Sequence, residues 1–257
     1  MGKTQIKRRV TLKSQDQLAL MREAGRIVAE ALDLVSREAE PGVSTLELDA
    51  LAEAHIRGRG AIPSFKGYRG FPATLCTSIN DEIVHGIPSA RRTLRDGDLL
   101  KVDCGAIYRG WQGDAAVTVV VGTPRDGAAR LVEATRAALD RGVAATQAGG
   151  YVSDIGQAIE DYALGLGYDV VREYCGHGIG RDLHEEPPVP NYGPPGNGPQ
   201  LVPGMVLCIE PMLNAGSGET DALNDGWTVR TKDGRLSAHF EHTVAVTTSG
   251  PRVLTLP

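Results

Sequence analysis

The feature that most restricts the possible folds is internal similarity. LRDGDLLKVD (residues 94–103) aligns without gaps on LVPGMVLCIE (residues 201–210). Gly97 and Gly204 coincide at a turn, and Asp103 and Glu210 coincide at the end. GDAAVTVVVG (113–122) resembles EHTVAVTTSG (241–250), which sets Asp114 against Glu241, and HGIP (85–88) echoes HGIG (177–180). Four matches in one order predict two copies of one unit, related by a pseudo-two-fold axis and sharing a sheet.

The helices repeat as well. Ser14 and Gln17 make a capping-box pattern ahead of Leu18, Met21, Val28, Leu32 and Val35, which predicts a helix over about 15–38. A second helix starts at Ser44, with Glu47 as its box partner, and stops at Gly58 and Gly60. The second copy offers a helix over about 127–146, a turn at AGGYVSD, and a helix from Ser153 to Gly165 and Gly167. The expected class is α/β (α+β): helix, helix, then strands, twice, around an antiparallel sheet. The single domain spans 14–257, with pseudo-repeats at about 14–125 and 126–257. Residues 1–13 read as a basic, solvated arm, and PPVPNYGPPGNGPQLVP (187–203) as a surface loop edging the active-site mouth.

Composition narrows the partners. A net charge of −5 gives no reason to expect nucleic acid, and no apolar run approaches the ~20 residues of a membrane span. No hydrophobic signal region follows the basic start, and MGKTQI lacks the Ser or Thr of a myristoylation site. Cys76, Cys104, Cys175 and Cys208 are widely spaced, as suits reduced thiols in the cytoplasm.

Asp103 ends a run of strand-like apolar residues, and an ionised carboxylate costs several kcal/mol to bury without a partner. If the repeat folds as one sheet, Asp103, Asp114, Glu210 and Glu241 converge near the axis and repel one another. Protons or cations must compensate them, and two divalent ions match four negative charges. His177, between glycines that would let backbone and metal approach, is the natural nitrogen ligand. Such an oxygen-rich set suits Mn(II), Fe(II), Co(II) or Zn(II), with bridging carboxylates and a hydroxide held between the ions. His85 and His184 lie in turns beside the same motifs. Alternation aims His239 at the face of Glu241 and His242 at the opposite face, while His55 reads as structural.

GYRGFPATLCTSINDEIVHGIP (67–88), VDCGAIYRGWQGD, GHGIGRDLHEEP, IEPML and FEHTV resemble, in order, the motifs of bacterial type I methionine aminopeptidases, from about residue 15 to the end. The resemblance implies the "pita-bread" fold and removal of the initiator methionine before a small second residue. It also implies two metals on Asp103, Asp114, His177, Glu210 and Glu241, with Asp114 and Glu241 bridging. His85 would contact substrate near the scissile bond, His184 would stabilise the tetrahedral intermediate, and Glu210 would shuttle the proton. Phe65, Tyr68, Phe71, Cys76, Leu183 and Trp227 match the methionine pocket. Arg69 stands where many relatives carry His, Leu183 where Phe is common, and His239 where Gln is usual. Substrates would be peptide or nascent-chain N-termini, with transient ribosome contact. On the helices themselves no oligomer seam stands out, which makes a monomer the default expectation. Xaa-Pro peptidases and creatine hydrolases of the same fold usually carry an extra N-terminal domain, for which 257 residues leave no room. Non-catalytic relatives lose ligands, and all five are intact here.

Overall fold

The computed structural model describes residues 10–257. Residues 1–9 of the basic arm lie outside the described residues. Four helices run Gln15–Glu38 (α1), Thr45–Gly58 (α2), Ala128–Ala145 (α3) and Val152–Gly165 (α4). The strands of the first half are Ile62–Pro63 (β1), Leu75–Ile79 (β2), Glu82–Val84 (β3), Leu99–Tyr108 (β4) and Trp111–Val120 (β5). Those of the second are Asp169–Val170 (β6), Gly176–Gly178 (β7), Glu185–Val189 (β8), Val206–Ile209 (β9), Met212–Asn214 (β10), Thr220–Ala222 (β11), Val229–Thr231 (β12), Ser237–His239 (β13), Glu241–Thr247 (β14) and Gly250–Val253 (β15).

Helix boundaries follow from their caps. Ser14 Oγ accepts from Gln17 N while Gln17 Oε1 accepts from Ser14 N at 3.0 Å, and Ser44 and Glu47 repeat this at α2. At α4 the box lies two residues earlier than expected: Asp154 Oδ2 accepts from Tyr151 N at 2.7 Å, whereas Ser153 Oγ accepts from Asn197 N at 2.8 Å. Leu18, Met21, Val28, Leu32 and Val35 form the buried stripe of α1, each worth about 1.5–3 kcal/mol when removed from water.

The main sheet runs β1-β4-β5-β14-β9-β7-β8, entirely antiparallel, with β2 also on β4 and β15 also on β14. The pairing of β5 with β14, where Glu241 faces Ala116, marks the pseudo-two-fold axis. Moving outward, β5 and β14 carry Asp114 and Glu241, and β4 and β9 lead to Asp103 and Glu210. One apolar core lies under α1 and α2 against the first half, and another under α3 and α4 against the second. Two small sheets, β13-β10-β6 and β11-β12-β3, wall the other side.

Two expectations need correction. Lys13 is not solvated: it is 7% exposed, its Nζ lies 2.8 Å from Glu185 Oε2, and its N–H donates to Gly204 O. Segment 187–203 does not edge the cleft. Its first residues belong to β8, Asn191 Nδ2 donates to Glu210 O at 3.0 Å, and residues 196–199 dock on the start of α4, with Gly196 N donating to Asp154 Oδ1 at 2.7 Å and Val152 N to Pro199 O. Proline removes backbone donors from this stretch, and the exposed N–H groups of α4 attract the carbonyls and caps that remain.

Candidate metal centre and substrate cleft

Antiparallel register brings the acids together. Asp103 faces Ala116 across β4–β5 and Cys76 across β2–β4, while Asp114 faces Gly105. Thr243 on β14 locks the axis: Asp114 N donates to its Oγ1 at 3.0 Å, and that hydroxyl donates to Asp114 O at 2.7 Å. Glu210 follows β9 directly, and Asn191 Nδ2 donates to its carbonyl at 3.0 Å.

His177 on β7 faces Cys208 on β9. Its Nδ1–H donates to Gly178 O at 2.9 Å, which leaves the Nε2 lone pair free. Nε2 lies 3.5 Å from Glu210 Oε1 and 4.0 Å from Asp114 Oδ2. The flanking glycines also answer a packing need. A Cβ at Gly176 would lie 2.2 Å from Cys208 O, and one at Gly178 2.2 Å from Glu186 O. The neighbouring strands exclude side chains there.

A cleft with roughly 150 Å³ of room collects every residue singled out above for chemistry or substrate. Asp103, Asp114, His177, Glu210 and Glu241 line its floor. His85 and His184 stand beside them, and Phe65, Tyr68, Phe71, Cys76, Leu183 and Trp227 form the apolar wall. Phe71 meets Trp227 edge-on at 5.0 Å, and the His85 ring meets Tyr174 edge-on at 5.8 Å. The His177 and His184 rings are 4.2 Å apart, and Tyr68 Oη lies 2.9 Å from His184 Nδ1. His239 is not in this lining: it is buried, and burial together with the nearby His85 imidazole lowers it to about 3. His242 points to the back of the sheet and pairs with Thr255 Oγ1 at 2.9 Å, and His55 lies 3.3 Å from Glu30.

Electrostatics single out the floor. Burial raises all four carboxyls, Asp103 to about 7, and like charge adds to the rise at Asp114, Glu210 and Glu241. Burial lowers His177 to about 3 and His85 to about 4, so both imidazoles are neutral at pH 7. Asp103 Oδ1, Asp114 Oδ1 and Glu241 Oε1 are sequestered from solvent without a hydrogen-bond partner. Donor atoms of Asp114, His177, Cys208 and Glu241 lie within 4.8 Å of one another. Orphaned carboxylate oxygens beside a neutral imidazole are a donor set that fits divalent cations. The Cys208 thiol, raised well above its ordinary range by burial and by the surrounding acids, is protonated and sits against Glu241.

Sequence reasoning passed over Thr243 and Cys208. Each is two residues from a floor carboxylate, Glu241 and Glu210, so strand alternation already placed them on that face. Tyr174 had no comparable signal.

The model of metallopeptidase family M24 matches residues 19–248. Methionine aminopeptidase from Clostridium acetobutylicum is 50% identical over 247 residues, covering 96% of this chain and 99% of that one. Methionine aminopeptidase 1 from Bacillus subtilis is 50% identical over 246 residues, covering 96% and 99%. A crystal structure of methionine aminopeptidase from Thermotoga maritima superposes with a TM-score of 0.95 at 38% identity, covering 97% of this chain and 100% of that one. Fold, cleft and similarity agree: the chain belongs to metallopeptidase family M24, among its bacterial methionine aminopeptidases.

Proposed function

We propose that this chain removes the N-terminal methionine from peptides and nascent proteins whose second residue is small, by metal-dependent hydrolysis. The observation that carries the reading is the junction of two environments in one cleft. A floor of four carboxylates, three of them with orphaned oxygens, meets a wall of aromatic and apolar side chains.

Asp103, Asp114, His177, Glu210 and Glu241 would hold two divalent ions; Co(II), Mn(II), Fe(II) and Zn(II) all suit the donors. When bound, the ions neutralise the floor and supply Lewis acidity and an acidified water. The protein's own groups do the rest. The apolar wall receives the methionine side chain, whose thioether gains from the ring edges of Phe71 and Trp227. His85 contacts the substrate near the scissile bond. His184, held by Tyr68 Oη at 2.9 Å, donates to the carbonyl oxygen as negative charge develops, an effect typically worth ~3 kcal/mol. Glu210 carries the proton from the attacking water to the leaving nitrogen.

A monomer in a reducing, cytoplasmic setting completes the proposal. All four cysteines are free, and no described helix is long and apolar enough to cross a membrane. Transient ribosome contact belongs to the same reading. Assay of Met-Ala-Ser against Ala-Pro-Ala with Mn(II) or Co(II) tests the function. Release of methionine from the first alone is expected; cleavage of the second alone overturns the specificity.

A further inference from the structure

The apolar wall takes the first residue of a peptide, so the following residues must leave past the cleft mouth. Tyr68, Arg69, Leu183 and His184 line the cleft and also line an adjoining groove of about 390 Å³ that reaches Arg181. Arg69 departs from the His common at this position in the resembling family, and it is exposed. Its guanidinium lies over the Tyr68 ring at 5.2 Å, and its charge helps burial to hold the His184 imidazole below its usual range. Arg181 is held in place from the other side, 4.5 Å from the Trp111 ring, with NH1 donating to Gly110 O at 3.4 Å. Among the described residues neither guanidinium makes an ion pair, and Asp182 is the only carboxylate in the groove lining.

Distance limits which substrate residues can arrive there. Steps of 4.2 Å from the His177 ring to His184, 5.4 Å on to Tyr68 and 5.2 Å on to the Arg69 guanidinium bound the span. The total is at most about 15 Å, or roughly four residues of extended chain.

We propose that Arg69, backed by Arg181, makes the enzyme favour peptides with Asp or Glu at the third or fourth position. This specificity rests on the proposed aminopeptidase activity and refines it. An ion pair at a partly open mouth is weak, screened by salt, and expressed in substrate capture more than in turnover.

Mn(II)-loaded protein is assayed with Met-Ala-Asp-Ser, Met-Ala-Ser-Ser and Met-Ala-Lys-Ser at low ionic strength and in about 0.5 M NaCl. The expected kcat/KM ratio of the Asp to the Lys peptide is about fivefold at low salt, carried by KM and shrinking in high salt. Arg69→Ala is expected to bring the ratio near one, Arg69→Lys to keep most of it, and Arg181→Ala to remove part of it. The ratio compares substrates on one preparation, so loss of folded protein cancels. A wild-type ratio of one, or an unchanged ratio in Arg69→Ala, overturns the inference; cleavage of Met-Ala-Ser-Ser then leaves the aminopeptidase reading standing. Failure on all three peptides overturns that reading and this inference with it.

Discussion

His-Gly-Ile occurs once in each half of the molecule, and the halves use it differently. In the second half His177 sits on β7, which pairs directly with β9, the strand leading to Glu210, and its Nε2 lies 3.5 Å from that carboxylate. In the first half His85 occupies a turn with φ 61°. There Gly86 O accepts from Thr77 N of β2 at 2.8 Å, and β2 pairs with β4, which carries Asp103. One additional strand therefore stands between histidine and acid. The carboxylates keep the two-fold symmetry while the imidazoles break it. Pseudo-symmetry decides where negative charge collects; strand order decides which histidine can reach it.

The largest effect should come from the symmetric part. Asp103→Ala is expected to abolish methionine release and to lower metal occupancy, by more than the 10–100-fold typical of outer-shell partners. Glu210→Ala, its counterpart across the axis, should match it, and near-normal kcat in either variant breaks the symmetry argument. The broken part sharpens the comparison. His177→Ala should weaken metal binding about 10-fold or more, measured by calorimetry on metal-free protein. His85→Ala should leave metal affinity in place and lower kcat by ~10²-fold or more. Equal metal affinities in the two variants would contradict the separate roles.

A third effect follows from the raised carboxyls. In metal-free protein the Asp103 pKa of about 7 lies above the unfolded value near 4. Its contribution to stability is therefore full below about pH 4 and lost as pH rises through about 7. Divalent ions replace those protons. The gain in Tm on adding Mn(II) should thus grow between pH 5 and pH 8 by about 3 °C or more, read by thermal denaturation with and without chelator. A gain independent of pH would contradict it. The smallest effect belongs to the axis itself: Thr243→Val removes both bonds to the Asp114 backbone and should cost about 1–3 kcal/mol in chemical denaturation.

Much of this was legible in the sequence because it is local or repeated. Capping boxes at Ser14 and Ser44 fixed helix starts within a residue, and the duplicated turn-and-strand pattern located the four acids. What stayed hidden depends on distant partners. Lys101, a charged residue inside β4, is only 2% exposed; burial lowers its ammonium to about 7, and its Nζ donates to Asn80 O at 2.7 Å. That carbonyl belongs to the turn after β2, whose placement against β4 no periodicity announces. The proline-rich stretch 187–203 misled for the same reason, since its partner is the start of α4. Strands of two or three residues, such as β6 and β11, carry too little pattern to be seen at all.

Titration of metal-free protein with Mn(II), following bound metal and methionine release together, tests the central claim most directly. Two ions per chain, with both bound before full activity is reached and neither held tightly by Asp103→Ala, is the outcome the account requires. Full activity with a chelator present, or a cleft that takes up no divalent ion at neutral pH, would contradict it.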